Sequence, residues 1–363
     1  MNGDTVLKSV AVLLLLAITL PAWTDNPSWV EIDGTIYGAK ADETGPIGGG
    51  AGYANIITGG DYSASTVEAL IEALAQAQAG ETVFIPGQTG IDLTSFIYID
   101  EFVLDVPEGV TLAGNRGQDG SLGAILTSDA LKTPVMIRAM GPDVRITGLR
   151  IQGPNTKRYI PHHGRSFKAG GDGHTYYYKF PTQNGIQTDF DTLEVDNCDI
   201  SGFGHGGINV PGGVGHHIHH NYIHHCQYQG LGYGICHDTA QSLIEFNLFD
   251  ANRHSIAGTG RSTGGYVARN NIELGVSLSH CFDMHGGRDR GDGTNIAGTS
   301  IEIYNNTFRA PQTPIVIRGE PEEACQVHHN WFPVHAAPEA AVHAEASTIV
   351  TDNAYGAEAT VIE

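Results

Sequence analysis

The residues best able to do chemistry sit at matching positions of one recurring segment. Six stretches align without gaps: Asn184-Gly-Ile-Gln-Thr-Asp189, Gly206-Gly-Ile-Asn-Val-Pro211, Tyr233-Gly-Ile-Cys-His-Asp238, His254-Ser-Ile-Ala-Gly-Thr259, His280-Cys-Phe-Asp-Met-His285 and Thr313-Pro-Ile-Val-Ile-Arg318. The third residue is always Ile or Phe, so on a strand it points into a core, and alternation turns the sixth outward. That outward column reads Asp189, Pro211, Asp238, Thr259, His285, Arg318. The opening column reads Asn184, Gly206, Tyr233, His254, His280, Thr313. If the segments stack at strand spacing, members two apart lie roughly 10 Å from each other. Tyr233, Asp238, Arg253, His254, His280, Asp283, His285 and Arg318 then gather on one patch. Such a patch of Tyr, His, Asp and Arg suits proton transfer on a sugar. The expected catalytic set is Tyr233, His237, Arg253, His254, His280, Asp283 and His285, and Asp238, Arg288 and Arg318 are assigned to substrate binding. The competing reading is an ordinary solvated surface.

Two insertions that frame this strand favour a site. The step from Ile146 to Val195 is 49 residues, and the step from Val267 to Ile303 is 36, against a period near 23. The extra residues fall near 152–183 and 286–300, one before the aligned strand and one after it, so together they can wall a groove. The first carries Lys157, Arg158, Arg165, Lys168 and Lys179 against the single acid Asp172, with Tyr159, Phe167, Tyr176, Tyr177 and Tyr178. Cations for carboxylates and rings for sugar faces suit an anionic sugar chain. Lys157, Arg158, Arg165, Lys168, Tyr177 and Lys179 therefore join the expected substrate-binding residues. The plainer alternative is a loop of accidental sign.

The period itself defines the architecture. One pattern recurs: an apolar residue, two variable residues, Asn, one variable residue, an apolar residue. It runs through Ile218/Asn221/Ile223, Ile244/Asn247/Phe249, Val267/Asn270/Ile272, Ile303/Asn306/Phe308, Val327/Asn330/Phe332 and Val350/Asn353/Tyr355. Val195/Cys198/Ile200 fits with Cys in the Asn slot. A repeat of this length with short strands and turns marks a solenoid. The expected fold is all-β, a right-handed parallel β-helix with coils stacked about 4.8 Å apart. The recurring Asn should form a ladder at a turn, where it tolerates left-handed geometry. Residues 65–79 read as one capping helix: Ser65 and Glu68 make a capping box, Val67, Leu70, Ile71 and Leu74 make an apolar face, and Gly80 stops it. Strands are expected at 82–85, 102–106, 110–112 and 135–137, and 144–151 opens the regular coils.

Composition sets the outer bounds. The chain has 363 residues and a net charge of −21, with charged residues at 16% and hydrophobic ones at 40%, enough to bury a core. A nucleic-acid partner needs a basic footprint and is excluded. Residues 9–20 form an apolar run after Lys8, followed by Pro21 and Ala22, and read as a signal peptide over 1–22. The expected mature protein is a secreted or periplasmic monomer of one domain, 23–363, without a membrane span. Cys198, Cys226, Cys236, Cys281 and Cys325 contain no CxxC pair and read as small buried hydrophobes. His216, His217, His219, His220, His224, His225, His328 and His329 cluster around the Asn turns. Adjacent histidines on a strand point to opposite faces and no third ligand type is fixed, so they read as turn-surface residues and the metal ligands stay unknown.

The capping helix, then Gly80-Glu-Thr-Val-Phe-Ile-Pro-Gly87, then Gly109-Val-Thr-Leu-Ala-Gly-Asn115, resemble the opening of pectate-lyase-like β-helix proteins. The resemblance covers nearly the whole chain after the signal and implies action on uronic-acid polysaccharides. A lyase needs a cation or donor on the C6 carboxylate, a base for the C5 proton and an acid for the leaving oxygen. Arg253, Arg318 or a divalent ion fits the first role, His254, His285 or His237 the second and Tyr233 the third. No cofactor is required; Ca2+ or another divalent cation is allowed for. Tyr233-Gly-Ile-Cys-His-Asp238 also resembles the Tyr-Gly-x-Asp-Pro-His signature of alginate C5-epimerases. Tyr233 and Gly234 match, whereas Cys236 and Asp238 stand at that family's Asp and His positions. Asn197-Cys-Asp199 and Gly204-His-Gly206 are similar to fragments of β-helix polygalacturonases, but that family's Asp-Asp pair is missing. The expectation is a polysaccharide lyase, with the epimerase and a non-catalytic glycan-binding β-helix as alternatives. Net acidity opposes an anionic partner at long range, so the basic loop, or a divalent ion bridging acids to uronates, must offset it.

Overall fold

The structure, a computed structural model, describes residues 27–131, 135–154, 181–227, 231–345 and 347–362. The expected signal segment and the basic aromatic loop, with Lys157, Arg158, Arg165, Lys168, Tyr177 and Lys179, lie outside the described residues.

The described chain winds as a right-handed parallel β-helix. Three sheets of eleven, eleven and nine strands run its length, and each full coil gives one strand to each. One coil shows the pattern: His216–His219 in the first sheet, Tyr222–His224 in the second, Tyr233–His237 in the third, then Gln241–Glu245 back in the first. Stacking is in register, with Ile218 on Ile244, Ile223 on Phe249 and Ile235 on Ile256. The inward residues build one continuous core from Ala64 to Tyr355. Within it Phe282, Phe308, Phe332 and Tyr355 contact one another in sequence at ring separations of 4.9, 5.2 and 5.3 Å. All five cysteines are buried and free; burial pushes the Cys198, Cys226 and Cys236 thiols up to about 12.

The ladder forms, with two differences from the sequence reading. Asn221, Asn247, Asn271, Asn306, Asn330 and Asn353 each lie at most 1% exposed. Each Asn side-chain amide but the last donates to the next Asn Oδ1 at 3.0–3.1 Å. Cys198 begins the column, its backbone N–H donating to Asn221 Oδ1 at 2.9 Å. The rung in the fourth coil is Asn271, not Asn270, because Ala268 rather than Val267 pairs with Ile244. The left-handed residue is the one before each rung: His220, Phe246, Asn270, Asn305, His329 and Asp352 have φ of 50–54°.

The one-residue correction carries a consequence. It places Glu273, not Ile272, on the inward position between Phe249 and Phe308. Glu273 is fully buried, and among the described residues neither carboxylate oxygen has a well-formed partner. Burial pushes its carboxyl up to about 8, only partly offset by the Ser255 hydroxyl.

The capping helix spans Val67–Gln76, shorter than expected, and its N-cap is Thr66, whose Oγ1 accepts from Ala69 N at 3.2 Å. Leu70 and Leu74 close the first coil, which protects an otherwise open strand edge. The segment 144–151, expected to open the regular coils, holds two strands, Arg145–Thr147 and Arg150–Gln152, separated at Gly148 with φ 68°. Segments not anticipated are the helix Thr94–Asp100 and the hairpin Trp29–Ile32/Thr35–Gly38. The hairpin turns at Asp33-Gly34, both at positive φ, a pairing that favours a two-residue hairpin loop.

Residues 38–53 then run back along the ladder turns as a strap. Gly38 N donates to His329 O and Gly48 N to Phe246 O, both at 2.9 Å. Gly50 N donates to Asn197 Oδ1 at 2.7 Å, and Tyr53 Oη to Asp196 Oδ2 at 2.8 Å. Glycine is required at 49: a Cβ there would stand 2.3 Å from His220 O.

Two stability predictions follow from this layer. Asn247→Ala removes amide bonds to Ile218 O, Glu245 O and Asn271 Oδ1, and chemical denaturation should read a loss of about 2–4 kcal/mol. Glu273 keeps a proton in the fold that the unfolded chain sheds above its ordinary 4.5. The Glu273 contribution to stability is therefore fullest below about pH 4.5 and declines as pH rises toward about 8. Glu273→Gln should flatten that decline in thermal melts across the window; parallel curves for the two proteins would contradict it.

Candidate functional site

The gapless alignment is the register of the third sheet. Gly206 pairs with Tyr233, Tyr233 with His254, Ile256 with Phe282, and Phe282 with Ile315. Strict alternation, however, would send the first residue of each segment inward with the third. A local slip prevents this. The N–H groups of Ser255 and Ile256 both donate to Cys281 O, and those of Cys281 and Phe282 both donate to Pro314 O. Consecutive residues such as Cys281 and Phe282 thus both enter the core. The first position is thereby turned to the same side as the fourth and sixth, which lets His254 and His280 meet Asp283.

Asp283 organises the cluster. It is fully buried. Arg318 grips it with two bonds, Nε to Oδ1 at 2.9 Å and Nη2 to Oδ2 at 2.5 Å. His280 Nε2 lies 3.0 Å from Oδ1 and His285 Nε2 3.1 Å from Oδ2. Burial opposes ionisation, but His280, His285, His254 and Arg318 together hold the Asp283 carboxyl well below the usual carboxylate range. This is a fixed anion that orients imidazoles, not a proton carrier near neutral pH.

His254 is neutral. Burial, reinforced by the Arg253 charge, holds it well below the ordinary histidine value. Its Nδ1 sits 2.6 Å from the His280 carbonyl oxygen and so carries the proton. Its Nε2 lone pair is buried, 3.9 Å from Asp283 Oδ2, with no hydrogen bond among the described residues. Tyr233 stacks on His254 with centroids 5.8 Å apart, and the Arg253 guanidinium lies 5.8 Å from the Tyr233 ring centroid. Burial pushes the Tyr233 phenol up, so it holds its proton. The His280 and His285 side chains are 19% and 29% exposed, so the cluster opens on their side.

Other expected residues fall elsewhere. His237 is a correction: it occupies the fifth, inward position, 1% exposed, with Nε2 2.8 Å from Ser242 Oγ and its ring against Tyr266. Burial lowers it to about 3. Arg288 is also corrected, being largely exposed and paired with Glu345 rather than with the cluster. Its neighbours on the short helix Gly287–Arg290 face the site instead: Asp289 Oδ1 lies 3.3 Å from Arg318 Nη1, and Arg290 Nη1 donates to Thr259 O at 2.6 Å. Asp238 accepts from Thr259 Oγ1 at 2.5 Å and lies 3.5 Å from Arg261 Nε, at the rim. Arg261, Asp289 and Arg290 were missed. They lie outside the aligned columns; the length of the second insertion hinted at Asp289 and Arg290, and no signal marked Arg261.

The turn histidines are also more ordered than a solvated surface. His219, His224 and His328 each place Nδ1 2.6–3.0 Å from Nδ1 of the following histidine. Each places Nε2 2.9–3.4 Å from a carboxylate one coil earlier: Glu194, Asp199 and Glu302.

Among the described residues, two sets place ligand atoms within 4.8 Å of one another: His254, His280 and Asp283, and Glu194, His217 and His219. Both are rich in imidazole, a donor for transition ions, whereas Ca2+ takes six to eight oxygens. In each set a carboxylate already faces a guanidinium: Arg318 grips Asp283 in the first, and Arg145 Nε lies 3.4 Å from Glu194 Oε1 in the second.

No family model and no curated protein matches this chain. Its shape is similar to a family 28 exopolygalacturonase of Yersinia enterocolitica, with TM-score 0.47 and 13% identity over 83% of this chain and 64% of that one. It is similar to an alginate lyase from Paenibacillus sp., with TM-score 0.40 and 14% identity over 81% and 98%. It is also similar to the Dettilon tailspike protein, with TM-score 0.33 and 12% identity over 80% and 64%. The chain thus spans just under two thirds of the exopolygalacturonase and of the tailspike.

Because the Asp283 side chain is fully buried and holds Arg318, Asp283→Asn should destabilise the fold by about 3–5 kcal/mol. Its contribution is present above the unfolded value near pH 4 and is lost as pH falls through the lowered folded value. Urea titrations at pH 7 and pH 3 should show a larger gap between the two proteins at pH 7 than at pH 3.

Proposed function

We propose that this chain is an exported polysaccharide lyase that cleaves a uronic-acid polysaccharide by β-elimination at the Asp283 cluster. The observation that carries the reading is the division of labour there. The central carboxylate is committed to Arg318 and orients imidazoles, while the groups left for proton transfer are imidazoles and a phenol. Hydrolysis of a glycoside by the usual route needs two carboxyl groups acting as acid and base or nucleophile. A carboxylate locked by an arginine fits neither role.

In this reading His285 is the base. Its Nε2–H is held by Asp283, which leaves Nδ1 as the lone pair that takes the C5 proton. Arg253 faces the C6 carboxylate, neutralising the charge that builds as the C5 proton leaves. Tyr233, protonated and beside Arg253, donates to the leaving glycosidic oxygen. The C5–H electrons form the C4–C5 double bond and the C4–O bond breaks toward Tyr233. Arg318 acts through Asp283 as a positioning residue.

The test incubates purified protein with alginate, pectate, glucuronan and ulvan, with and without added divalent cation. Ultraviolet absorbance from an unsaturated uronate is the expected result. Proton NMR showing inverted C5 without chain cleavage would instead favour a C5-epimerase, which shares the first step. Binding without either product would overturn the enzyme reading. His285→Ala and Tyr233→Phe should each lower turnover at least about a hundredfold with little change in the thermal melt; full activity in both would place the reaction on another face.

A further inference from the structure

A second cluster lies on the first sheet, on a different face from Asp283. His217-Ile-His219 places two imidazoles on one side of the strand His216–His219, since residues two apart share a face and Ile218 between them is fully buried. Their rings stack with centroids 3.9 Å apart. Register lays Glu194 beside His217 on the preceding coil and Glu245 beside His219 on the following one. His219 Nε2 is 3.3 Å from Glu194 Oε1, and His217 Nε2 is 2.8 Å from Glu245 Oε1. One ligand atom from each of Glu194, His217 and His219 falls within 4.8 Å of the other two.

The surroundings resemble the outer shell of a metal centre. His219 Nδ1 is held 3.0 Å from Nδ1 of His220, which fixes the ring and directs Nε2 at Glu194. Arg145 puts two bonds on Asp196 and its Nε also lies 3.4 Å from Glu194 Oε1, and Arg269 Nε donates to Glu245 Oε2 at 2.6 Å, so the carboxylates are anchored on one side and keep their other lone pairs for an ion. The Glu194 and His217 side chains are 38% and 39% exposed, and His217 also lines an open groove of about 520 Å³ with Leu243, Tyr266 and Val267. An ion therefore has a route in.

We propose that Glu194, His217 and His219 bind a divalent transition ion of the Zn2+ class, with Glu245 completing the set. Two imidazoles and two carboxylates make a four-coordinate donor set that Zn2+ takes and Ca2+ does not. The ion takes the place of the protons now shared in the His217–Glu245 and His219–Glu194 pairs, and those protons leave to solvent. It would bind three successive coils together across the outside of the sheet.

The test uses untagged full-length protein stripped with EDTA and titrated with Zn2+ by calorimetry and with Co2+ by visible absorption. The expected result is one ion per chain with an intense, tetrahedral-type Co2+ band. His217→Gln and Glu194→Gln should each weaken binding about tenfold or more and abolish the Zn2+-dependent rise in melting temperature, whereas His280→Gln should leave both unchanged. Stoichiometric binding that survives His217→Gln, or that is lost with His280→Gln alone, overturns the assignment. If the substituted chains fail to fold, the wild-type Co2+ spectrum decides: a weak octahedral band, or no binding, overturns it equally.

Discussion

Parallel coils stacked in register bury the backbone of every turn between the first and second sheets. Those turns are too tight to pair their amides within one coil. The asparagine column resolves this, because each amide donates inward to a carbonyl and onward to the next rung, while its oxygen accepts from the rung before. The left-handed residue ahead of each rung aims the chain into the second sheet. Register follows from this column, and with register comes the placing of every side chain on the outer faces. The Asp283 cluster and the Glu194–His217–His219 group both consist of residues from neighbouring coils, so neither exists without the ladder.

Much of this was legible in the sequence because the period is strong. Coil length, the inward Ile/Phe column and the membership of Tyr233, His254, His280, Asp283, His285 and Arg318 in one patch were read from spacing alone. The errors have local physical causes. Asn270 and Asn271 are adjacent, and choosing the wrong one hid Glu273 in an apolar position that no pattern would assign to an acid. His237 was counted with the site because alternation had not been applied to the fifth position. The reverse happened at the first position, where two N–H groups share one carbonyl and alternation fails; tertiary pairing decides that slip, and no propensity marks it.

Function-bearing residues separate into those on strands and those on connections. Strand residues inherit their position from the repeat. Arg261, Asp289 and Arg290 lie on connections, whose course depends on contacts such as Arg290 with Thr259 O and Ile296 O. The histidines at the turns were dismissed because neighbours on a strand diverge. Residues two apart do not, and the carboxylates that meet them sit a whole coil away. A linear reading sees the His-x-His spacing but not the glutamates at 194 and 245.

The strap over residues 38–53 has a kinetic side. Coil-to-coil contacts join residues roughly one period apart, so the stack can grow by short loop closures, each a modest entropic step. The strap instead joins Ala39 N to Thr307 Oγ1, 268 positions away. Its docking groove runs from turns of earlier coils at Asp196 and Asn197 to turns of late coils at Thr307 and His329, so residues near 40 can dock only after the coils near 307 and 329 have formed. Long-range closures of this kind slow folding. The solenoid is therefore expected to assemble as an unlatched stack, and the strap to settle as a separate, final phase that latches residues near 39 onto the coils at 307 and 329.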